Sequence, residues 1–564
     1  MTSDEKINRL RQWMRDNGID AYLVPHADRF QSEYLVPQDE RLAWLTGFTG
    51  SAGMAAILSD KAFLFTDGRY TLQAAAETDA HVIEVIESPA GNPADVFGGH
   101  LSEGGVIGFD PMLFTVAQMT LWRREAQLRH WQLRPLETNP IDLLWTDKPV
   151  APTVPAKAHE LAYAGMSTAD KTARILEKRN PKAATILISD PTLVCWLLNM
   201  RGGDVAHVPL VQGAALLDET GHITLFTNPD KIPADLRLVW GNHVGVENLS
   251  RLTETIEKIN KPLQIDPVQC SYAIKVFCDD RDIPLVEAQD PALLLRACKN
   301  AVEIKGAISA HEKDAMAFDA FMAWFNTRDF EAENITELDV IEKLRHCRTG
   351  NTDCVDDSFS TIAGFGPNGA IVHYRADEKT NRRLQPNSLL LLDSGGQYFE
   401  GTTDVTRVLP VGTPTPIMKK HYTAVLQGLI ALSCTRFPVG TTGAQLEAIA
   451  RQPVWALGLD YAHGTGHGVG SYLSVHEGPQ GFSPRGTAPL QPGMILSIEP
   501  GVYLTGQYGI RLENLVAVVD DAREDDIKHM LAFKTLTKIP FESKLICRED
   551  LTEAEKEFLQ KFQQ

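Results

Sequence analysis

Leu389-Leu-Leu-Leu-Asp393-Ser-Gly-Gly396 and Gly401-Thr-Thr-Asp404-Val-Thr-Arg-Val-Leu409 form one interrupted stretch on which the reading of the fold turns. Four successive leucines predict a strand buried on both faces, and Ser-Gly-Gly predicts the turn that ends it. Asp393 thus sits where one apolar strand stops, and Asp404, eleven residues on, sits where the next begins. The pattern recurs further along. Ile495-Leu-Ser-Ile-Glu499-Pro-Gly501 puts a carboxylate between an apolar strand and a turn, and Tyr508-Gly-Ile-Arg-Leu-Glu513-Asn-Leu-Val516 puts one inside an alternating strand. Taken singly, each acid reads equally well as a cap or loop carboxylate. Four in apolar strands need a common explanation, because a buried charge without a partner is very expensive.

A metal site supplies that explanation. Asp393, Asp404, Glu499 and Glu513 carry four negative charges, which two divalent cations would neutralise, with His467 of His463-Gly-Thr-Gly-His467-Gly-Val-Gly470 available as a neutral ligand. Carboxylate-rich ligation with one imidazole suits hard or borderline ions such as Mn²⁺. Two ions about 3.5–4 Å apart can share and deprotonate a water while polarising a carbonyl. The histidine run imitates other signatures without meeting them. Its glycines do not follow G-x-G-x-x-G, and four glycines in eight residues exclude the helix of the zinc proteases, so both histidines are expected on a strand or loop. The sequence has no Gly-Lys dipeptide, hence no P-loop, and no G-x-S-x-G elbow.

Composition sets the wider frame. The 564 residues are 43% hydrophobic and 23% charged, an ordinary globular balance long enough for several domains. Lys and Arg total 54 against 73 Asp and Glu, a net charge of −19. Such a surface repels phosphate backbones and anionic lipid, so neither nucleic acid nor membrane is an expected partner. The longest notable aliphatic run, Leu389–Leu392, falls far short of the roughly 20 residues of a membrane helix. Eight scattered cysteines without a C-x-x-C pair are neither a disulfide framework nor a zinc finger. With a polar, acidic opening (Met1-Thr-Ser-Asp-Glu-Lys6) that lacks a secretory h-region, they lead us to expect a cytoplasmic protein.

Upstream of the acids the chain repeats itself. Thr2 and Glu5 predict a capped helix with Ile7, Leu10, Trp13 and Met14 on one face, followed by strands at Ala21–Val24, Ala55–Leu58 and Phe63–Phe65 around Trp44-Leu-Thr-Gly-Phe-Thr-Gly50. Ser167 to Asp170 starts a second helix, with strands at Ala184–Ile188, Ala214–Leu217 and Ile223–Phe226 around Trp196-Leu-Leu-Asn-Met-Arg-Gly-Gly203. Two diverged copies of one α/β domain account for this order. Pro149, Pro152 and Pro155 predict an extended connector between them. From about Ala297, helices expected near 300–327, 417–434 and 443–457 mix with glycine-bounded strands, and a polar terminal helix is expected from Glu549. The fold class is therefore α+β.

These segments resemble the pita-bread metallopeptidases, a family that includes methionine aminopeptidases, prolidases and Xaa-Pro aminopeptidases. Asp393 and Asp404 match its paired aspartates, His467 in HGTGHGVG its ligand histidine, Glu499 in IEPGVY and Glu513 in IRLEN its two glutamates. Asp67-Gly-Arg-Tyr70, Ser358-Phe-Ser-Thr-Ile362, Gly369-Ala-Ile-Val-His-Tyr374 and Val475-His-Glu-Gly-Pro479 extend the likeness to the three-domain cytosolic Xaa-Pro aminopeptidase branch. The resemblance implies two creatinase-like N-terminal domains, 1–155 and 156–296, before a pita-bread catalytic domain, 297–564. It implies two divalent ions, Mn²⁺ foremost with Zn²⁺ or Co²⁺ as alternatives. Asp404 and Glu513 would bridge them, Asp393 would hold one, and His467 and Glu499 the other.

The implied reaction is hydrolysis of the N-terminal Xaa-Pro bond of peptides by a bimetal-activated hydroxide. Glu499 would carry the proton, His463 or His476 would steady the oxyanion, and His373, His463 and His476 would contact substrate. Alternatives are a prolidase restricted to dipeptides and an inactive binding protein of the same fold. A homodimer is expected. Tyr503 and Arg511 read either as residues that orient the ligands or as packing and ion-pair residues. An inter-domain or subunit contact for Arg69 and Trp455 stays open.

Overall fold

Thr2 and Glu5 close a reciprocal capping box on the helix Ser3–Asp16, which buries Ile7, Leu10 and Met14. In this computed structural model, which describes residues 1–88, 93–351 and 353–562, that helix belongs to the first of two units, Met1–Ala158, Thr168–Ala206 and Leu210–Ala292. The unit holds two six-stranded mixed sheets. In one, Ala21–Pro25 pairs antiparallel with Met54–Leu58 and parallel with Val106–Phe109. In the other, Thr185–Ile188 pairs antiparallel with Ala214–Asp218 and parallel with Leu263–Ile265. The outer strands repeat as well. Ala62–Thr66 beside Glu84–Glu87 corresponds to Ile223–Phe226 beside Val244–Glu247, and Gln132–Pro135 corresponds to Leu285–Glu287. One strand order with one set of directions, used twice, is a duplicated α/β domain. Trp44 and Trp196 take equivalent places on short helices, Arg41–Thr46 and Pro191–Leu197, that follow the first strand of each copy. Pro149, Pro152 and Pro155 lie in a stretch with neither helix nor strand.

The second unit comprises His159–Ser167, His207–Pro209 and the chain from Leu293 onward. Asn300 caps its long helix Ala301–Phe325 by accepting from the Val302 and Glu303 amides. A three-stranded antiparallel sheet orders Ile362–Phe365, Ser388–Ser394 and Val405–Val411. A six-stranded sheet runs Phe437–Pro438, Met530–Thr535, Asn514–Asp520, Ile495–Ile498, Gly466–Gly468 and Glu477–Phe482. Helices Pro416–Ser433 and Gly443–Trp455 contribute Tyr422, Val425, Leu429 and Ala450 to a core shared with Leu391, Leu496, Ile498 and Val516. Helices packed on antiparallel sheets, without βαβ crossovers among the described residues, make this unit α+β.

Two elements differ from the sequence reading. The strand expected across Glu513 is two strands. Tyr508–Arg511 pairs with Gly501–Leu504, and Asn514–Asp520 pairs with Ile495–Ile498. The chain changes sheet at Leu512 and Glu513, so the alternation expected through this segment does not hold, since it needs a continuous pleat. The terminal helix is Glu553–Gln560, later than Glu549, because Thr552 and Glu555 form its capping box.

The end of the Asp393 strand is held from behind. Arg348, fully buried, donates to Asp314 at 2.7 and 3.3 Å and to the Ser394 hydroxyl at 3.0 Å, and Tyr398 donates to Asp314 at 3.1 Å. Breaking a buried pair costs about 3–5 kcal/mol, whereas replacing both partners by apolar groups is often neutral. Arg348→Met is therefore expected to lower the unfolding free energy of this unit by that order, and with it the urea midpoint, and Arg348→Met with Asp314→Leu to regain most of it. Equilibrium unfolding followed by circular dichroism makes the comparison; equal midpoints for Arg348→Met and the unmodified protein would remove the anchor.

Candidate metal centre

The antiparallel register opposes Asp393 to Thr406, so Asp404, just ahead of the Val405–Val411 strand, arrives beside Asp393. Thr406 then fixes the third acid: its carbonyl accepts from the Glu513 amide at 3.2 Å, and its hydroxyl donates to Glu513 Oε2 at 2.8 Å. Glu499 follows the Ile495–Ile498 strand, its amide donating to the Thr465 carbonyl at 2.7 Å. His467 lies on the strand Gly466–Gly468. A Cβ on Gly466 would meet the Ser497 carbonyl oxygen at 1.9 Å, and one on Gly468 that of Glu477 at 2.1 Å. These glycines let neighbouring backbones close in on His467, which explains a glycine-rich run that holds no nucleotide signature.

His467 Nε2 stands 3.5 Å from Asp404 Oδ2 and 3.5 Å from Glu499 Oε1. Ligand atoms of Asp404, His467 and Glu513 all lie within 4.8 Å of one another. His467 Nδ1 is 2.9 Å from the Gly468 carbonyl oxygen. A carbonyl only accepts, so the proton sits on Nδ1 and the Nε2 lone pair faces the acids.

Asp393, Asp404 and Glu513 are buried, and one oxygen of each (Oδ1, Oδ1 and Oε1) has no hydrogen-bond donor. Burial, and after it Asp393 and Glu499, pushes Asp404 well above the usual carboxylate range; burial and then Asp404 do the same to Glu513. The local counter-charge is Arg511. Burial works against its charge, but Tyr503, Asp393 and Glu499 outweigh burial and hold it protonated. One guanidinium does not balance four acids. Donorless oxygens on converging buried carboxylates, with an imidazole lone pair among them, are the donor set that divalent cations satisfy.

A second line of contacts leads away from the acids. Arg511 donates to Asp393 Oδ2 at 2.5 Å, to the Tyr503 hydroxyl at 2.8 Å, to the Val372 carbonyl at 3.2 Å and to the Thr406 hydroxyl at 3.3 Å. Tyr503 in turn lies 2.8 Å from His463 Nε2, while His463 Nδ1 lies 2.7 Å from the Gly464 carbonyl oxygen. The His476 ring stands edge-on to His467, centroids 4.3 Å apart. His373 is half-buried between Val372, which Arg511 grips, and buried Tyr374. Arg69 lies in the other unit, paired with Asp67 at 2.7 Å, and Trp455 is 47% exposed at the end of its helix. Thr406, which ties Glu513 to Arg511, went unnoticed in the sequence. Its signal was position alone, two residues after Asp404 at the start of the Val405–Val411 strand.

Comparison with known proteins agrees with this architecture. Residues 306–520 match metallopeptidase family M24, and residues 6–137 and 147–303 each match the creatinase/prolidase N-terminal domain. A "probable Xaa-Pro aminopeptidase P" of Talaromyces marneffei is 35% identical across 99% of this chain and 88% of that protein. Aminopeptidase P2 of Arabidopsis thaliana is 36% identical across 99% and 84%. The crystal structure of X-prolyl aminopeptidase from Caenorhabditis elegans, described as a cytosolic enzyme with a di-nuclear active site, superposes with a TM-score of 0.94 at 31% identity, covering 100% of this chain and 95% of that one. Fold and donor set together define a metallopeptidase, a hydrolase with two creatinase-type domains ahead of a pita-bread catalytic domain. The chain belongs to metallopeptidase family M24, in its Xaa-Pro aminopeptidase P group.

Burial raises Asp404 and Glu513 above the ordinary carboxylate range, so cations compete with protons for these acids. Titrating metal-stripped protein with Mn²⁺ in a calorimeter should show an affinity that rises with pH, because the ligands bind as carboxylates. Asp404→Asn and Glu513→Gln should each lower the ions bound per chain. His463→Ala should bind as many as the unmodified protein, since both of its ring nitrogens are engaged elsewhere. Undiminished binding in the first two variants would discard the site.

Proposed function

We propose that this chain is a metal-dependent aminopeptidase that removes the N-terminal residue from peptides whose second residue is proline. The convergence of donorless buried carboxylates beside His467, in a chain aligned over 99% of its length with Xaa-Pro aminopeptidases, carries this reading. In it Asp393, Asp404, His467, Glu499 and Glu513 would hold two divalent ions, Asp404 and Glu513 being the acids that would be shared. Two bound divalent cations supply a Lewis acid for the scissile carbonyl and a water acidic enough to attack near neutrality. Mn²⁺ is the ion we favour, because oxygen donors outnumber the single imidazole; Zn²⁺ and Co²⁺ are the alternatives.

The chain's own groups do the rest. Four acids give the site a negative field that draws the substrate's free α-amine. Glu499, half-buried, accepts the attacking water's proton and delivers it to the proline nitrogen, which carries no proton of its own and leaves poorly without one. His476 donates to the oxyanion as it forms. We assign His463, its ring fixed between Tyr503 and the Gly464 carbonyl, with His373 to substrate contact. Arg511 and Tyr503 orient Asp393 and His463. We divide the chain into domains 1–155, 156–296 and 297–564, on the repeated strand order and the positions of the family matches.

We further infer a cytoplasmic homodimer that binds peptides and neither nucleic acid nor membrane. The −19 charge, the free cysteines and the cytosolic C. elegans relative support this, and Trp455 offers an exposed aromatic for a subunit contact. Sedimentation equilibrium should give twice the chain mass; a concentration-independent monomer would remove the dimer.

Substrate panels decide the reaction. Mass spectrometry should show Arg released from Arg-Pro-Pro at least as fast as from Arg-Pro, little release from Arg-Ala-Pro, and almost none from acetyl-Arg-Pro-Pro. Equal cleavage of Arg-Pro-Pro and Arg-Ala-Pro would leave only a general aminopeptidase, and cleavage of Arg-Pro alone would make it a prolidase.

A further inference from the structure

Glu477 follows His476 and plays no part in the chemistry above, yet it lies in a buried contact of three charges. Lys299 Nζ bonds Glu477 Oε1, and Arg296 Nε is 3.2 Å from Oε2. The three side chains are 1%, 5% and 1% exposed for Lys299, Arg296 and Glu477. Three buried charges are a poor way to gain stability, since apolar residues of similar volume do as well or better. What they provide is a fixed position.

The loop before Glu477 needs one. Residues 471–476 form no helix or strand, and Tyr472 has φ +49°, a left-handed backbone that is strained for an aromatic residue. The loop doubles back through a bond from the Gly470 amide to the Ser474 carbonyl at 3.0 Å, and Gln397 Nε2 donates to the Leu473 carbonyl at 2.7 Å. Past that point the His476 side of the loop ends on Glu477. Lys299 is itself tied to the six-stranded sheet, its amide donating to the Gly493 carbonyl at 3.0 Å beside the Cys298–Met494 bridge.

We propose that Lys299 and Arg296 are positioning residues: by clamping Glu477 they hold the strained loop so that His476 is presented to the reacting carbonyl beside His467. Neither cation reaches the substrate; both act through His476. The inference rests on the reading of His476 as a substrate contact. It predicts a loss of turnover that follows the placement of one imidazole, leaving metal binding and folding intact.

Lys299→Met in the metal-loaded enzyme is the direct variant, because Arg296 still pairs with Glu477 and no buried charge is left uncompensated. On a Xaa-Pro tripeptide its kcat should fall about tenfold with KM within about twofold. Ions bound per chain and the thermal midpoint should stay near those of the unmodified enzyme, and Lys299→Arg should recover most of the rate. Arg296→Met, which keeps Lys299, should show a smaller loss of the same kind. The decisive comparison is Lys299→Met in a His476→Ala background, where the further loss should be under about twofold, because the residue it acts through is gone. Unchanged kcat in Lys299→Met, a full additional loss in the double variant, or bound metal falling in step with kcat would overturn the clamp. Unimpaired turnover in His476→Ala would instead sink the role given to His476, and the clamp with it. An impaired His476→Ala beside an unimpaired Lys299→Met would sink the clamp alone.

Discussion

Repulsion among carboxylates governs the catalytic unit. At an effective dielectric near 20, two like charges 4 Å apart repel by about 4 kcal/mol, and burial adds the cost of lost water. Asp393, Asp404 and Glu513 accept both penalties while each keeps an oxygen that no donor reaches. A fold selected for stability alone would place alcohols or amides there. Apart from the cations, relief comes from Arg511, whose guanidinium grips Asp393, and from the Thr406 hydroxyl on Glu513. The strands bearing these acids are accordingly held on every side. Arg348 fixes Ser394, the Thr406 carbonyl fixes Glu513, and the Thr465 carbonyl fixes Glu499.

Among the described residues of the first unit, no buried carboxylate oxygen lacks a donor. Its two sheets use one topology twice, with ordinary apolar cores around Leu23, Phe63 and Phe109 in one and Leu187, Leu216 and Ile265 in the other. Duplication is a low-risk way to lengthen a chain, because each copy buries its own apolar faces and can diverge in its loops without endangering the other. The divergence is visible at the Trp44 and Trp196 segments, which keep the helix, the Trp-Leu pair and a glycine six residues on but differ at the four positions between.

Much of this was legible in the sequence, for identifiable reasons. Local rules carried the capping box at Thr2 and the buried strand of four leucines, and repeated strand order carried the duplication. The acids were legible through the price of burying them. Glu513 was found but misplaced, because a run of alternating residues does not announce that the chain leaves one sheet and joins another at its midpoint. Thr406 and the Lys299–Arg296–Glu477 contact escaped for a different reason: a hydroxyl, or a lysine 178 residues from its partner, has no periodicity to betray it. Long-range polar contacts are set by topology, and the sequence gives them no local mark.

The segment His463-Gly-Thr-Gly-His467-Gly shows how one local device can serve two ends. Each histidine is followed by glycine, and each turns Nδ1 onto that glycine's carbonyl oxygen, at 2.7 Å for His463 and 2.9 Å for His467. The bond fixes the tautomer and leaves Nε2 as an acceptor on both rings. Nothing in the two dipeptides separates them; their surroundings do. His467 Nε2 meets Asp404 and Glu499, acids that offer it no proton while ionised, so a cation is the natural partner for its lone pair. His463 Nε2 meets the Tyr503 hydroxyl, which donates to it while accepting from Arg511. Arg511 also grips Asp393, so the position of His463 is tied to the acid cluster through three consecutive hydrogen bonds. Two residues identical in their local chemistry thus meet different partners, acids for His467 and a phenol for His463, by what the fold places in front of them.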